Sequence, residues 1–202
     1  EAHWLASWVE EFGIDGFRCD TVKYVSKDSW KLLKEYSTEA LEHWRDKNKG
    51  KDPAASWTDP FYMTGEVWAF TNDPNDKSEY AKKGGFDSLI DFYFNPDGVN
   101  LNTCITPDQS DWVTYGNLYG RLEGKPALMN MTYISSHDTS LCRKKDMAKV
   151  GVNFLMLPGS VQIYYGDETN RQNDMGGGID LEQGIRSDMN FPKDIDSASK
   201  WA

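Results

Sequence analysis

Apolar positions along the chain switch between two periods, and the switching predicts its elements. Leu5, Trp8, Val9 and Phe12 recur at helical spacing until Gly13 stops the run. Residues 13–20 (GIDGFRCD) then read as a short buried strand, with Ile14, Phe17 and Cys19 as its apolar members and a charged residue at its end. Residues 26–49 place Trp30, Leu33, Tyr36, Ala40, Leu41 and Trp44 on one helical face, with Gly50 as the cap. The order repeats: residues 61–66 form a strand ending on an acid, 76–83 a polar helix and 86–94 another strand. Thr106 as N-cap, Pro107 at the first helical position, Gln109 closing a capping box and Gly124 beyond the end predict a helix over 106–122. Residues 129–136 read as a strand that ends at His137 and Asp138, 144–157 as a helix halted by Pro158, and 160–165 as a strand ending at Gly166, Asp167 and Glu168. From residue 169 onward Gly, Asp and Asn predict loop, with a short helix near Ala198.

Strands that alternate with helices and end on polar groups point to a parallel α/β architecture. The strands centre near Ile14, Tyr62, Leu89, Ile134 and Ile163, and a closed (β/α)8 barrel needs eight strands over about 250 residues. Residues 1–202 therefore read as a single, incomplete domain: a partial (β/α)8 TIM barrel carrying strands four to eight with their intervening helices. Neither GxGxxG after a strand nor GxxxxGK[ST] occurs, so the sequence supports no nucleotide and no organic cofactor.

Composition narrows the classes. Basic residues number 22 and acidic residues 32, a net charge of −10, which excludes nucleic acid binding by bulk charge. Mean hydropathy is −0.68, and no apolar run approaches the roughly 18 residues of a membrane span. Cys19, Cys104 and Cys142 form no CxxC pair or zinc-site spacing and leave the disulfide state open. No export signal is visible at the amino end.

Three strand ends present acids, Asp20, Glu66 and Asp138, and in a barrel such ends converge on one mouth. Each acid alone could serve as a helix cap. Together, with Arg18 and His137 nearby, they supply what glycoside hydrolysis needs: an ionised carboxylate to attack the anomeric carbon, a protonated one to release the leaving oxygen, and groups that hold hydroxyls. Arg18 lies two residues before Asp20, on the same face of a strand, where its charge keeps that carboxylate ionised. Glu66 adjoins Val67, Trp68 and Phe70, a drier setting that favours the protonated acid. His3 and His43 sit in helical patterns and read as surface or packing residues. Trp30, Trp44, Trp112 and Tyr115 read as packing, whereas Trp68 and Tyr165, at strand ends, are candidates to line the cleft. Asp167 and Glu168 are candidates to bind loop backbone, and Asp15 and Asp91 to be buried structural groups.

GFRCDTVKY, TGEVW, YISSHD and VQIYYGDE resemble, in order, four consecutive signature segments of the α-amylase family of glycoside hydrolases, and RSDMNF is similar to a substrate-loop segment of its starch-active members. The resemblance implies Asp20 as nucleophile, Glu66 as general acid/base and Asp138 as the third acid, supported by Arg18 and His137, with Lys23 as a further contact; Arg18, Lys23, Tyr24, Trp68 and His137 are the candidate substrate-binding residues. It implies retaining hydrolysis of α-1,4-glucosidic bonds in an α-glucan or maltooligosaccharide. An α-glucan transglycosylase or branching enzyme, or a non-catalytic glucan-binding scaffold, are the alternatives. Calcium is a candidate cofactor, to which Tyr24 would offer its backbone carbonyl while the other ligands lie upstream. Ser136 stands where chloride-activated members have Asn, which argues against chloride dependence. The family's first signature has no counterpart here, so a missing N-terminal part of the barrel, or self-association, is expected to complete the fold and the chain alone to be inactive. Extracellular or periplasmic location is the family-level expectation.

Overall fold

The computed structural model describes residues 1–68, 74–92, 129–138, 141–142, 147–156, 160–171 and 184–190. They fall into two compact units, Glu1–Ile90 with Leu118–Met131 and Asp91–Asn117 with Thr132–Ala202. The strands follow chain order, β1 (Gly16–Cys19), β2 (Tyr62–Gly65), β3 (Ser88–Ile90), β4 (Met129–Tyr133) and β5 (Ser160–Gln162), in one sheet. β1 pairs with β2, β2 with β3 and β3 with β4, all parallel. With helices between β1 and β2, between β2 and β3 and between β4 and β5, this is the strand pattern of an incomplete (β/α)8 barrel.

In the first unit, α1 (Ala2–Phe12) ends at Gly13 in the left-handed conformation, φ 68°, whose amide donates to the Val9 carbonyl. Gly13 is thus a helix cap and not the first residue of a strand; β1 begins three residues later, and Asp15 precedes it, exposed, rather than sitting buried in mid-strand. A side chain at Gly13 would collide with the Trp44 ring, 2.4 Å from its nearest atom, so this glycine is fixed by packing as well as by φ. α2 (Lys27–Asn48) starts at Ser26, whose hydroxyl accepts from the Ser29 amide at 3.2 Å. Its inner face joins Val9, Val22, Leu41, Phe61, Met63 and Leu89 in one apolar core, with Trp30 and Trp44 packed against it as expected. Lys34 reaches inward from α2 to the Asp87 carboxylate at 2.5 Å and to the Phe61 carbonyl, and Asp87 also accepts from the Met63 amide at 2.7 Å. One ammonium therefore ties α2 to the starts of β2 and β3. α3 (Pro74–Gly84) links those two strands.

In the second unit the buried Tyr133 packs edge-on against Phe92 at 6.0 Å. Asp91 is fully buried, as its position beside Ile90 suggests. α4 (Met147–Leu155) directs Val150 and Phe154 inward. Cys142 is disulfide-bonded, whereas Cys19 is free and buried and its thiol is pushed up to about 12 by burial, against the pull of Arg18. The helix expected over 106–122 and the one near Ala198, with Phe70, Trp112 and Tyr115, lie outside the described residues.

Candidate active site

Register makes the site. Arg18 pairs with Thr64 and Cys19 with Gly65, so the next residues along the two strands, Asp20 and Glu66, emerge side by side. The ladder continues past them: the Glu66 amide donates to the Cys19 carbonyl at 2.8 Å and the Val22 amide to the Glu66 carbonyl at 3.0 Å. Such close approach depends on small residues, because a Cβ at Gly16 would stand 2.8 Å from the Tyr62 carbonyl oxygen. Strand alternation sends Cys19 into the core and leaves Arg18 and Asp20 on the other face.

The Arg18 guanidinium forks between the two carboxylates, with Nη1 on Asp20 Oδ1 and Nη2 on Glu66 Oε2 at 3.3 Å. The two acids differ in setting: the Glu66 side chain is 7% exposed and that of Asp20 60%. Thr21 turns the chain with φ 48° and ψ 37°, a left-handed conformation that a β-branched residue seldom takes, and aims its amide at Glu66 Oε2, 3.3 Å away. Burial raises the Glu66 pKa most, followed by its hydrogen bond with the Asp20 side chain; the Thr21 amide, and last Arg18, pull it down. The net direction is upward, so Glu66 holds its proton to higher pH than an ordinary glutamate. An exposed carboxyl group beside a buried one whose pKa is raised, joined by one guanidinium, is equipped to attack at one atom and protonate at another.

Lys23 and Trp68 are also brought to this end of β1 and β2: Lys23 Nζ donates to the Trp68 carbonyl at 3.2 Å and lies 5.2 Å from the centre of the Tyr24 ring. Tyr24 and Trp68 both expose their rings.

The second unit holds the other predicted pair. Asp138 Oδ2 lies 2.8 Å from His137 Nε2, and Asp138 Oδ1 accepts from Arg186 Nη2 at 2.8 Å. Arg186 Nε also donates to the His137 carbonyl at 2.9 Å. Sequence reasoning picked out RSDMNF but not Arg186 as the partner of Asp138, and it missed the Thr21 amide altogether. The first had a signal, an arginine opening that segment; a backbone amide has none. Asp167 and Glu168 bind loop backbone as expected, accepting from the Tyr164 and Gly166 amides at 3.2 and 3.0 Å. His3 stacks on Tyr36 at 4.0 Å, and His43 is a surface residue 3.9 Å from Glu10.

Calcium takes six to eight oxygens. Among the described residues no three His, Cys, Asp or Glu side chains are grouped to hold a metal ion, and Tyr24 brings at most one carbonyl. Nor is any described helix long and apolar enough to cross a membrane.

Comparison with known proteins accords with this geometry. The family described as alpha amylase, catalytic domain, matches residues 2–200. The periplasmic alpha-amylase of Escherichia coli K12 is 37% identical over 98% of this chain, which spans 28% of that protein's length. An alpha-amylase of Streptomyces lividans is 31% identical over 80% of the chain and 18% of its own length. Among solved structures, trehalose-6-phosphate hydrolase of Bacillus licheniformis is similar in fold, with a TM-score of 0.50 at 19% identity, covering 85% of this chain and 34% of that one. The chain belongs to the α-amylase family and carries part of its catalytic domain.

Proposed function

We propose that this chain, within a complete barrel, hydrolyses α-1,4-glucosidic bonds of starch-like glucans or maltooligosaccharides with retention of anomeric configuration. The observation that carries the reading is the Arg18 fork between an exposed Asp20 and a buried Glu66 whose pKa is raised. In the first step Asp20 attacks the anomeric carbon, the glycosidic C–O bond breaks, and Glu66 gives its proton to the leaving oxygen. Glu66, now a carboxylate, takes a proton from water; the water oxygen attacks the anomeric carbon and the bond to Asp20 breaks, returning both acids to their starting states. Arg18 keeps Asp20 ionised for the attack. Asp138 would grip ring hydroxyls of the distorted sugar, and Lys23, Tyr24, Trp68 and His137 would line the path of the chain. A periplasmic or extracellular setting suits both a polymeric substrate and the disulfide of Cys142.

The test is the anomeric form of the first product, followed by proton NMR while maltooligosaccharide is cleaved by the complete-barrel protein. Retention predicts that the α-anomer appears first and then mutarotates; the β-anomer first would sink the two-step scheme. Products longer than the substrate, formed without new reducing ends, would reassign the same site to transfer.

A further inference from the structure

Arg171 is fully buried, a cation taken wholly out of water. Such burial is strongly unfavourable unless the donors are satisfied, and here they are satisfied in a specific way. Nη2 donates to the Ile185 carbonyl at 3.0 Å and Nη1 to the Ser187 hydroxyl at 2.5 Å, the residues on either side of Arg186. Nε and Nη2 also donate to the Tyr165 carbonyl at 3.3 and 3.2 Å. The guanidinium carbon lies 4.2 Å from the centre of the Tyr165 ring, within cation–π reach. The same two neighbours of Arg186 are grasped a second time: the Tyr164 hydroxyl donates to the Ile185 carbonyl at 3.1 Å and the Tyr165 hydroxyl to the Ser187 carbonyl at 2.8 Å. Gly166 makes room for this arrangement. Its φ is +88°, and a Cβ there would stand 2.5 Å from Arg171 Nε and 2.6 Å from its Cβ.

From this we infer that Arg171 is a positioning residue for the reaction, acting through Arg186 on Asp138. It clamps residues 185 and 187, and that clamp holds Arg186 where its guanidinium meets Asp138 Oδ1 and the His137 carbonyl. Arg171 itself touches no sugar. A planar fork whose donors diverge is suited to holding a carbonyl and a hydroxyl two residues apart, which a point charge does less well. The inference rests on the reading of Asp138 as the acid that grips the sugar.

A double-mutant cycle in the complete-barrel protein tests it. Arg186→Met should lower kcat on maltooligosaccharide about 10- to 100-fold, the loss of a charge-assisted hydrogen bond. Arg171→Met should lower kcat about 10-fold with KM within about 3-fold, and the double variant should be no worse than Arg186→Met within about 2-fold, because both substitutions remove one arrangement. Arg171→Lys should recover part of the loss. Losses that multiply, or an Arg171→Met protein with full activity, overturn the inference. If Arg171→Met lacks a cooperative melt, Ser187→Ala takes its place in the same cycle, since it removes only the hydroxyl that Nη1 holds. Asp138→Asn separates the two claims: near-normal activity there sinks the reading of Asp138, whereas an inactive Asp138→Asn beside multiplying arginine losses sinks the role of Arg171 alone.

Discussion

Raising the pKa of a carboxyl requires water to be kept from it, and the chain does this for Glu66 at the expense of stability. Its folded pKa lies above the ordinary value it regains on unfolding. Between those two values the folded chain binds more protons than the unfolded one, so stability falls as pH rises through the window and the full penalty applies above it. Glu66→Gln removes the penalty. The variant should lose about 10²- to 10⁴-fold in kcat yet melt higher at pH 7, by the equivalent of about 0.5–2 kcal/mol usual for relief at a strained site. That gain should shrink as pH drops below the glutamate range, and thermal melts from pH 4 to 8 would show it; a lower melting point at pH 7 would contradict the sign. At this scale much was legible. Arg18, Asp20 and Glu66 could be placed by strand period and strand ends, because charge and alternation are written in residue types. The Thr21 amide and the pairing of Asp138 with Arg186 could not, since one is backbone and the other depends on contacts across 48 residues.

Elements were readable to the degree that their ends carry side-chain chemistry. Ser26 and Gly13 mark the start of α2 and the end of α1, and the helices follow their predicted spans closely. Strands carry no such caps, and the reading ran them three residues too far back at β1, where GID is the cap and link rather than ladder. What period alone cannot convey is the closeness of β1 to β2. Gly16→Ala inserts a methyl 2.8 Å from a backbone carbonyl that has little room to yield, so β1 must move or twist. Because Asp20 and Glu66 continue the two paired strands, a displacement at the start of β1 is carried to the site. We expect the variant to lose about 1–3 kcal/mol, as overpacking does, and activity beyond its loss of folded fraction. Denaturant melts with kcat normalised to folded protein measure both; unchanged stability would show that the strands have slack.

For the whole molecule, the described strands of the sheet run from β1 to β5, and a closed barrel would pair both of these with further neighbours. α1 tells the same story from outside. Its helical pattern predicts one apolar face, but only Ala6 and Val9 are buried while Trp4, Trp8 and Phe12 remain 64%, 45% and 61% exposed. Trp8 stacks on Phe12 at 5.5 Å and meets Trp4 edge-on, so the three rings form one continuous apolar strip. A strip of that kind favours association with whatever can cover it, as an unpaired edge strand does. Purified alone, the 202-residue chain of 23.0 kDa should therefore elute as larger species and leave soluble starch intact. Supplying the remaining strands of the barrel, on the same or a separate polypeptide, should yield one-to-one particles, a blue shift of tryptophan emission as Trp4 and Trp8 leave water, and starch cleavage. Trp4→Glu with Trp8→Glu should suppress both the association and the rescue, because one surface serves both. Light scattering behind a sizing column, with reducing-end release in the same fractions, decides the matter. A monodisperse monomer that cleaves starch unaided would mean that the partial barrel closes its site without the missing strands.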